Sequence, residues 1–407
     1  MKSNLKRYLI CLIVVPILSW GASNNFLVIS DIHLNENAAP DSMVINPSKP
    51  NTSYDIDSTT LDKLIFLLSQ NIQKGIVARP DFIILLGDLV GHNSSPADAV
   101  KDETYVFNKL KTTFPQTPIF YTFGNNDSLV QDYGTFSRAT SPKSAYEIAQ
   151  SSASWDDGFL SIGKTCGTPP SKYPCLIDKD VNNGFYSAYI QPGFRLISLN
   201  SVLFSQQRVG VSDAPATAEL KWLDLELQAA SQHTESVMII MHIPPGNNVY
   251  DNSNFWQNDD QVAFLQLINK YSSNIIGILA SHTHAEELKM IKSNGKSIAG
   301  AYLTAALSTS HGNAPSVKTF YYASSGGKWQ LSTTETFNFT GSNQNPIFNK
   351  LYDFKNYYCN GSTLSLLGCL DSVNPNDLPV KMKEYLSAKN PNFGGSLNFP
   401  NDIVIGK

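Results

Sequence analysis

Charged residues are scarce in this sequence, and basic residues are not in excess. Asp, Glu, Lys and Arg together make up 16% of the 407 residues, below the roughly 25% that is usual for soluble domains. The formal net charge is -4, so the chain lacks the basic surface that binding to a nucleic-acid duplex requires. The composition argues against nucleic-acid partners and is typical of an exported protein.

Long hydrophobic runs are also few, and the main candidate for a membrane-spanning or signal segment lies at the N-terminus. Basic residues precede an apolar run from Tyr8 to Trp20, and the small residues Gly21 and Ala22 follow it. The run is shorter than the roughly 20 residues of a membrane-spanning helix, so residues 1–22 are interpreted as a cleaved signal peptide rather than a retained anchor. Cleavage would remove three basic residues and take the net charge from -4 to -7. The mature chain is expected to be secreted or periplasmic, without stable membrane insertion.

Cysteine is rare as well. Outside the N-terminal run there are four cysteines, in two local pairs, Cys166 with Cys175 and Cys359 with Cys369. Both pairs lie in loop-like sequence, and two local disulfides are the simplest of the three possible connectivities in an exported chain. A four-cysteine zinc site is the alternative, but neither pair has the tight Cys-x-x-Cys spacing of such sites.

Apolar runs rich in Val, Ile and Phe recur along the chain. Continuous runs of this length are typical of strands that are buried on both faces of a sheet. Amphipathic stretches between them predict helices that begin near Thr59, Thr217 and Asp260. Five of the predicted strands are residues 26–30, 82–86, 119–123, 237–241 and 275–279. This alternation predicts a layered α/β fold, in which sites form beyond the carboxyl ends of strands.

Two regions outside this alternation differ in composition. Residues 130–180 are rich in Ser, Gly and Pro and are interpreted as an inserted cap or rim loop. Residues 341–407 are rich in Asn, Pro, Gly and Ser and carry the second cysteine pair. They are expected to form a small, disulfide-bearing C-terminal subdomain beside a catalytic domain over residues 23–340.

Residues with nitrogen or oxygen donors follow all five of these apolar runs. In chain order the patterns are Asp-x-His, Gly-Asp, Gly-Asn, a single His and His-x-His. Each pattern alone is common in turns and loops, but together they supply a donor set without sulfur that suits borderline divalent metals. The seven candidate ligands are Asp31, His33, Asp88, Asn125, His242, His282 and His284.

This series of motifs resembles that of the calcineurin-like metallophosphoesterases, over roughly residues 26–320. The resemblance implies a layered β-sandwich flanked by helices, with a centre for two divalent metal ions. Zinc is the expected metal, with manganese or iron as alternatives. One ion would be held by Asp31, His33, Asp88 and His284, and the other by Asp88, Asn125, His242 and His282, with Asp88 as the bridge.

Flanking residues narrow the resemblance to the acid sphingomyelinase-like phosphodiesterases. His92 lies four residues after Asp88, and the segment 313–318 follows the His-x-His loop, as in that branch. The resemblance implies hydrolysis of a phosphodiester or pyrophosphate by a metal-bridging hydroxide, because two metals acidify a shared water. No saposin-like segment precedes Phe26, which favours a small phosphorylated substrate, of nucleotide or choline-headgroup type, over sphingomyelin.

One position departs from the family pattern. Residue 126 is Asn where most members have the His of Gly-Asn-His, and an amide donates a hydrogen bond but does not titrate. His92 is therefore expected to be the principal proton donor or phosphate ligand, although a solvated loop histidine is the alternative. Asn126 is expected to donate a hydrogen bond, and His311 to contact the substrate near its entrance.

Three alternative functions remain open at this point. Asn126 is similar to the residue at this place in the endopolyphosphatase branch, which suggests a phosphomonoesterase or polyphosphatase. Sphingomyelin phosphodiesterase is the second alternative, because it is the activity of the named branch. A non-catalytic binding protein is the third, but the complete ligand set argues against it. No feature of the sequence indicates an oligomeric state.

Overall fold

A computed structural model describes residues 24–37, 55–92, 95–134, 136, 143–210, 212–309, 313–342, 344–388 and 402–405. The interpreted signal peptide and His311 lie outside the described residues. The strands are β1 (Asn25–Ile29), β2 (Phe82–Leu85), β3 (Ile119–Tyr121), β4 (Lys164–Thr165), β5 (Cys175–Asp180), β6 (Phe185–Gln191), β7 (Phe194–Ser198), β8 (Ser236–Ile240), β9 (Ile275–Ala280), β10 (Leu288–Ser293), β11 (Lys296–Leu303), β12 (Ser316–Ser325), β13 (Lys328–Gly341), β14 (Pro346–Asp353) and β15 (Asp402–Ile405). The helices are α1 (Ser58–Gln73), α2 (Pro96–Thr113), α3 (Ala145–Ser151), α4 (Asp213–Gln232), α5 (Asn258–Lys270), α6 (Phe354–Cys359), α7 (Leu366–Ser372) and α8 (Leu378–Tyr385), with short 3₁₀ turns at Asn126–Ser128 and Ser201–Phe204.

These strands form two sheets that pack against each other. One sheet has six strands in the order β14-β13-β12-β1-β2-β3, and the other has nine in the order β15-β10-β11-β9-β8-β7-β6-β5-β4. The two sheets share one apolar core, in which the Phe194 ring of β7 lies 5.4 Å from the Tyr322 ring of β12. Helices flank the sheets, which confirms the predicted layered α/β sandwich.

The five apolar runs predicted as strands are β1, β2, β3, β8 and β9, with ends that differ by one or two residues. Every residue of β1, β2 and β8 is buried, as their continuous apolar sequence predicts. β1, β2 and β3 run parallel to one another, and so do β8 and β9. The carboxyl ends of each set therefore lie at one edge of their sheet.

The predicted helices are confirmed as α1, α4 and α5. The Asp57 carboxylate caps α1, because it accepts a hydrogen bond from the backbone N–H of Thr60 at 2.7 Å. The sequence pattern does not predict α2. The buried face of α2 includes Asp102 and Glu103 beside apolar residues, and these carboxylates interrupt the apolar period that marks a helix.

The regions outside the predicted alternation also contribute strands. Residues 130–180 include α3, β4 and β5, and β4 and β5 form one edge of the nine-stranded sheet. Beyond residue 340, β14 forms an edge of the six-stranded sheet and β15 forms the other edge of the nine-stranded sheet. The domain boundaries at these positions stay predictions.

Both cysteine pairs are joined as the simplest connectivity predicts. Cys166 is bonded to Cys175 beside β5, and Cys359 is bonded to Cys369, which links α6 to α7. Across the residues that the structure describes, no helix combines the length and apolar character needed to span a bilayer.

Phe26 lies near the centre of the six-stranded sheet, and its ring stacks on Phe82 and Phe320 at centroid distances of 4.7 and 5.2 Å. Phe26→Ala removes a fully buried side chain, so we expect it to lower the free energy of unfolding by about 3–5 kcal/mol. Phe66→Ala is the matched control, because the Phe66 side chain is 59% exposed and its loss should cost about 0.5 kcal/mol or less. Urea unfolding measures both values, and equal losses in the two variants would contradict this packing.

Candidate metal centre

The predicted ligands meet where strand ends from both sheets come together. Asp31 and Asp88 follow β1 and β2 of the six-stranded sheet, whereas His242 follows β8 of the nine-stranded sheet. His242 Nε2 lies 3.3 Å from Asp88 Oδ2, and His284 Nε2 lies 3.3 Å from Asp31 Oδ1. The centre therefore connects the two sheets.

The donor atoms of the predicted ligands form two clusters, a first one of Asp31, His33 and His284 and a second one of Asp88, His242 and His282. Asn125 Oδ1 belongs to the second cluster, since it lies 3.1 Å from His242 Nε2. Asp88 Oδ2 lies 3.4 Å from His33 Nε2 and 3.3 Å from His242 Nε2, so Asp88 stands between the clusters. Within each cluster the donor atoms lie within 4.8 Å of one another.

Several donor atoms in this centre are buried without a hydrogen bond. Among the described residues, Asp31 Oδ1 and both ring nitrogens of His33 have no partner in hydrogen-bonding geometry. Leaving such atoms without a hydrogen bond in the interior is unfavourable, and bound cations are one way to compensate them. The nitrogen and oxygen donors of the centre fit divalent metal ions.

Most of these ligand residues have an unusual backbone conformation. Residues with a side chain rarely adopt positive φ, which costs of order 1–3 kcal/mol and is found mainly at functional sites. Five of the seven predicted ligands share it: Asp31 (φ 46°), His33 (49°), Asp88 (50°), His282 (73°) and His284 (60°).

Asp127, the last residue of the Gly-Asn-Asn-Asp motif, joins the loops after β2 and β3. Its buried carboxylate accepts hydrogen bonds from the backbone N–H groups of Asp88, Leu89 and Gly124 at 2.9, 2.9 and 2.8 Å. The loops approach so closely that a Cβ at Gly124 would lie 2.2 Å from Asp88 Oδ1. Burial raises the pKa of Asp127 to about 6. Asp127 therefore fixes the backbone around Asp88.

Burial and ion pairing have opposite effects on the pKa values of the centre. Burial alone would lower the pKa of His33 and of His242, but the neighbouring carboxylates outweigh it and raise these values to about 10 and about 9. Burial alone would raise the pKa of Asp88, yet His242 and His33 hold it well below its usual range. Burial keeps the pKa of Asp31 raised. Without a cation, the two imidazoles are therefore protonated at neutral pH.

His92 lies beside the first cluster and is held by Asp55, a residue that sequence reasoning missed. His92 Nδ1 lies 3.0 Å from Asp55 Oδ1, and the backbone N–H of His92 donates to Asp55 Oδ2 at 2.9 Å. The His92 side chain is 50% exposed, and its ring centroid lies 5.4 Å from that of His33. Asp55 precedes α1 without any motif, so no signal in the sequence could have identified it.

A cavity of about 230 Å³ opens beside His92, and its lining includes Asn126 and Asp132. The backbone N–H and the side-chain Nδ2 of Asn126 donate to the two carboxylate oxygens of Asp88, at 2.9 and 3.1 Å. Asn126 is therefore a hydrogen-bond donor in this structure, and its acceptor is Asp88. Its predicted role toward a substrate stays a prediction.

Because His33 and His242 are protonated when no cation is bound, binding of metal must displace protons. Both pKa values lie above 7, so at neutral pH we expect about one proton from each histidine. The apparent affinity for Zn²⁺ should increase as the pH rises from about 6 to about 9, because fewer protons then compete. Calorimetric titration in buffers of different ionisation enthalpy counts the protons. An affinity that does not change with pH would contradict these pKa directions.

The comparisons with known proteins agree with this centre. Residues 25–286 match the family model described as calcineurin-like phosphoesterase. Sphingomyelinase phosphodiesterase D of Dictyostelium discoideum is 25% identical over 360 residues, which are 78% of this chain and 76% of that protein. Sphingomyelinase phosphodiesterase C of the same organism is 32% identical over 221 residues, which are 52% of this chain and 44% of that protein.

A third relative carries a different substrate in its name. The cyclic GMP-AMP phosphodiesterase of Mus musculus is 26% identical over 257 residues, which are 59% of this chain and 53% of that protein. The matches therefore cover less than two thirds of the length of the second and third relatives.

The family match covers more than half of the chain and contains the Asp-x-His, Gly-Asp, Gly-Asn, His and His-x-His motifs. Those motifs supply the residues that meet at the centre, and their donors fit divalent metal ions. The chain belongs to the calcineurin-like metallophosphoesterases, in the acid sphingomyelinase-like branch, and is a metal-dependent phosphoric ester hydrolase.

Proposed function

We propose that this chain is an exported phosphodiesterase that hydrolyses a small phosphodiester or pyrophosphate, of nucleotide or choline-headgroup type. The observation that carries the proposal is the pair of ligand clusters that Asp88 joins, with the half-exposed His92 held beside them. Residues 1–22 would be the signal peptide. The two disulfides support an oxidising compartment, because such bonds persist outside the cytosol.

Two divalent cations, zinc by preference and manganese or iron as alternatives, would occupy the two clusters. Asp31, His33, Asp88 and His284 would hold one, and Asp88, Asn125, His242 and His282 would hold the other. Bound there, the pair would polarise a phosphoryl group and lower the pKa of a nearby water. The left-handed backbone of five ligands supports the proposal, because strain of this kind is retained at functional sites.

His92 is the proposed proton donor to the oxygen that leaves. Asp55 fixes its ring through Nδ1, so Nε2 is the atom proposed to carry the proton. The half-exposed ring lines the cavity in which a small leaving group could lie. The Asn126 side chain donates to Asp88 and does not titrate, so His92 is the proposed source of the proton for the leaving oxygen.

The cavity also bears on the class of substrate. Its volume of about 230 Å³ suits a small group, and the Asp132 carboxylate in its wall disfavours a long polyanion. Polyphosphate, which Asn126 suggests, is therefore the weaker alternative. Sphingomyelin is the stronger second candidate, because two of the relatives described above are named as sphingomyelinases.

A turnover assay on three substrates tests the proposal. The purified mature chain is supplied with Zn²⁺ and offered a nucleoside triphosphate, CDP-choline and detergent-dispersed sphingomyelin, each with a chelated control. We expect metal-dependent cleavage of a soluble substrate and none of sphingomyelin. Cleavage of sphingomyelin alone would establish the second candidate instead. No cleavage of any of the three substrates would overturn the proposed activity.

The bridging role of Asp88 has its own test. Asp88→Asn removes the charge that both clusters face, so we expect fewer than two metal ions per chain by mass spectrometry and turnover at background. Asp224→Asn is the matched control, since Asp224 pairs with Lys270 at the surface, and it should keep both metals and full activity. Full activity in Asp88→Asn would show that another residue bridges.

Removal of His92 separates proton donation from other roles. We expect His92→Gln to lower kcat by about 10²- to 10⁴-fold on a diester with a poor leaving group, because the leaving oxygen then lacks its proton. The loss should be much smaller with bis(p-nitrophenyl) phosphate, whose leaving group needs no proton. His233→Gln is the matched control, because His233 is exposed at the end of α4. Equal losses on both substrates would exclude proton donation by His92.

A further inference from the structure

The turn at residues 131–133 contacts two predicted ligands of the same cation. Asp132 Oδ1 accepts a hydrogen bond from Asn125 Nδ2 at 2.7 Å. The Tyr133 hydroxyl lies 3.2 Å from His282 Nε2. Both ligands belong to the set of the second cation, which Asp88 and His242 complete.

The contact with Asp132 decides which end of the Asn125 amide faces the centre. An ionised carboxylate only accepts hydrogen bonds, so the amide must present its nitrogen to Asp132. The amide oxygen then points the other way, and it lies 3.1 Å from His242 Nε2. A flipped amide would present Nδ2, which cannot bind a cation. Asp132 therefore keeps the ligating atom of Asn125 directed inward.

The contact with Tyr133 acts in the same way on His282. His282 Nδ1 lies 3.2 Å from His242 Nε2, so this nitrogen faces the centre, whereas Nε2 faces Tyr133. When Nδ1 serves as the ligand, Nε2 carries the proton and donates a hydrogen bond to the Tyr133 hydroxyl oxygen. The phenol thereby fixes both the tautomer and the ring orientation.

The turn itself is anchored to its surroundings. The backbone N–H of Tyr133 donates to the Asn125 carbonyl at 3.1 Å, and the backbone N–H of Val209 donates to the Tyr133 carbonyl at 2.9 Å. The Tyr133 side chain is buried, and its ring stands edge-on to that of His282, with centroids 6.1 Å apart. These contacts hold the turn in place independently of a bound ion.

We propose that Asp132 and Tyr133 are positioning residues that set the affinity of the second cation. The inference rests on the proposed function, because it assumes two bound cations. The two side-chain contacts of the turn are made to Asn125 and His282, whereas Asp31, His33 and His284 are the ligands that only the first cation uses. Loss of either contact should therefore weaken one cation and spare the other.

Titration of metal-stripped protein with Zn²⁺ against a competing indicator tests this proposal. We expect two equivalents to bind to the unmodified chain. In Tyr133→Phe and in Asp132→Ala, one equivalent should bind about 10- to 100-fold more weakly while the other keeps its affinity. Asp132→Asn keeps an oxygen that can accept from Asn125, so it should restore most of the affinity.

Tyr105→Phe is the matched control, because its hydroxyl donates to Asp62 at 2.8 Å, outside the centre. It should bind both equivalents normally, and thermal unfolding of the stripped proteins checks that every variant is folded. Unchanged affinity in both test variants, or equal weakening of both equivalents, would overturn the positioning role. Fewer than two equivalents in the unmodified chain would instead overturn the two-cation centre on which the inference rests.

Discussion

The ionised carboxylate of Asp88 is the interaction on which the arrangement of the two sheets depends. It follows β2 in one sheet, accepts two hydrogen bonds from Asn126 beyond β3, and pairs with His242 beyond β8 of the other sheet. A buried charge is tolerated only when its partners surround it. The strands β2, β3 and β8 must therefore end close to one another, and this requirement also creates the space in which cations can be held.

Much of this arrangement could be predicted from the sequence, because continuous apolar strands and the residues that follow them are local features. Asp31, Asp88 and His242 each come at or just after the end of such a run, and parallel strands bring their carboxyl ends to one edge of a sheet. α2 could not be predicted in this way, because two carboxylates lie on its buried face. One of them, Glu103, accepts a hydrogen bond from the Tyr121 hydroxyl at 3.2 Å, so it is a polar contact within the core.

The residues that hold the ligands could not be predicted, because their roles arise only from folding. Asp55 and His92 are 37 positions apart, and Tyr133 and His282 are 149 apart. Asp55 and Tyr133 lie in no recognisable pattern, and a contact between two loops leaves no periodic signal in the sequence. The motifs therefore identify which atoms can bind metal, whereas the tertiary contacts decide how those atoms are aimed.

The left-handed backbone of the ligand residues has a consequence for how this fold can change over evolutionary time. At Asp31, replacement by glycine would relieve backbone strain of order 1–3 kcal/mol and also remove a buried carboxylate that repels that of Asp88. The same substitution would thus remove a metal ligand and increase folding stability. Selection for turnover opposes such a substitution. A descendant that is no longer selected for catalysis is therefore expected to have a higher free energy of unfolding than its active ancestor.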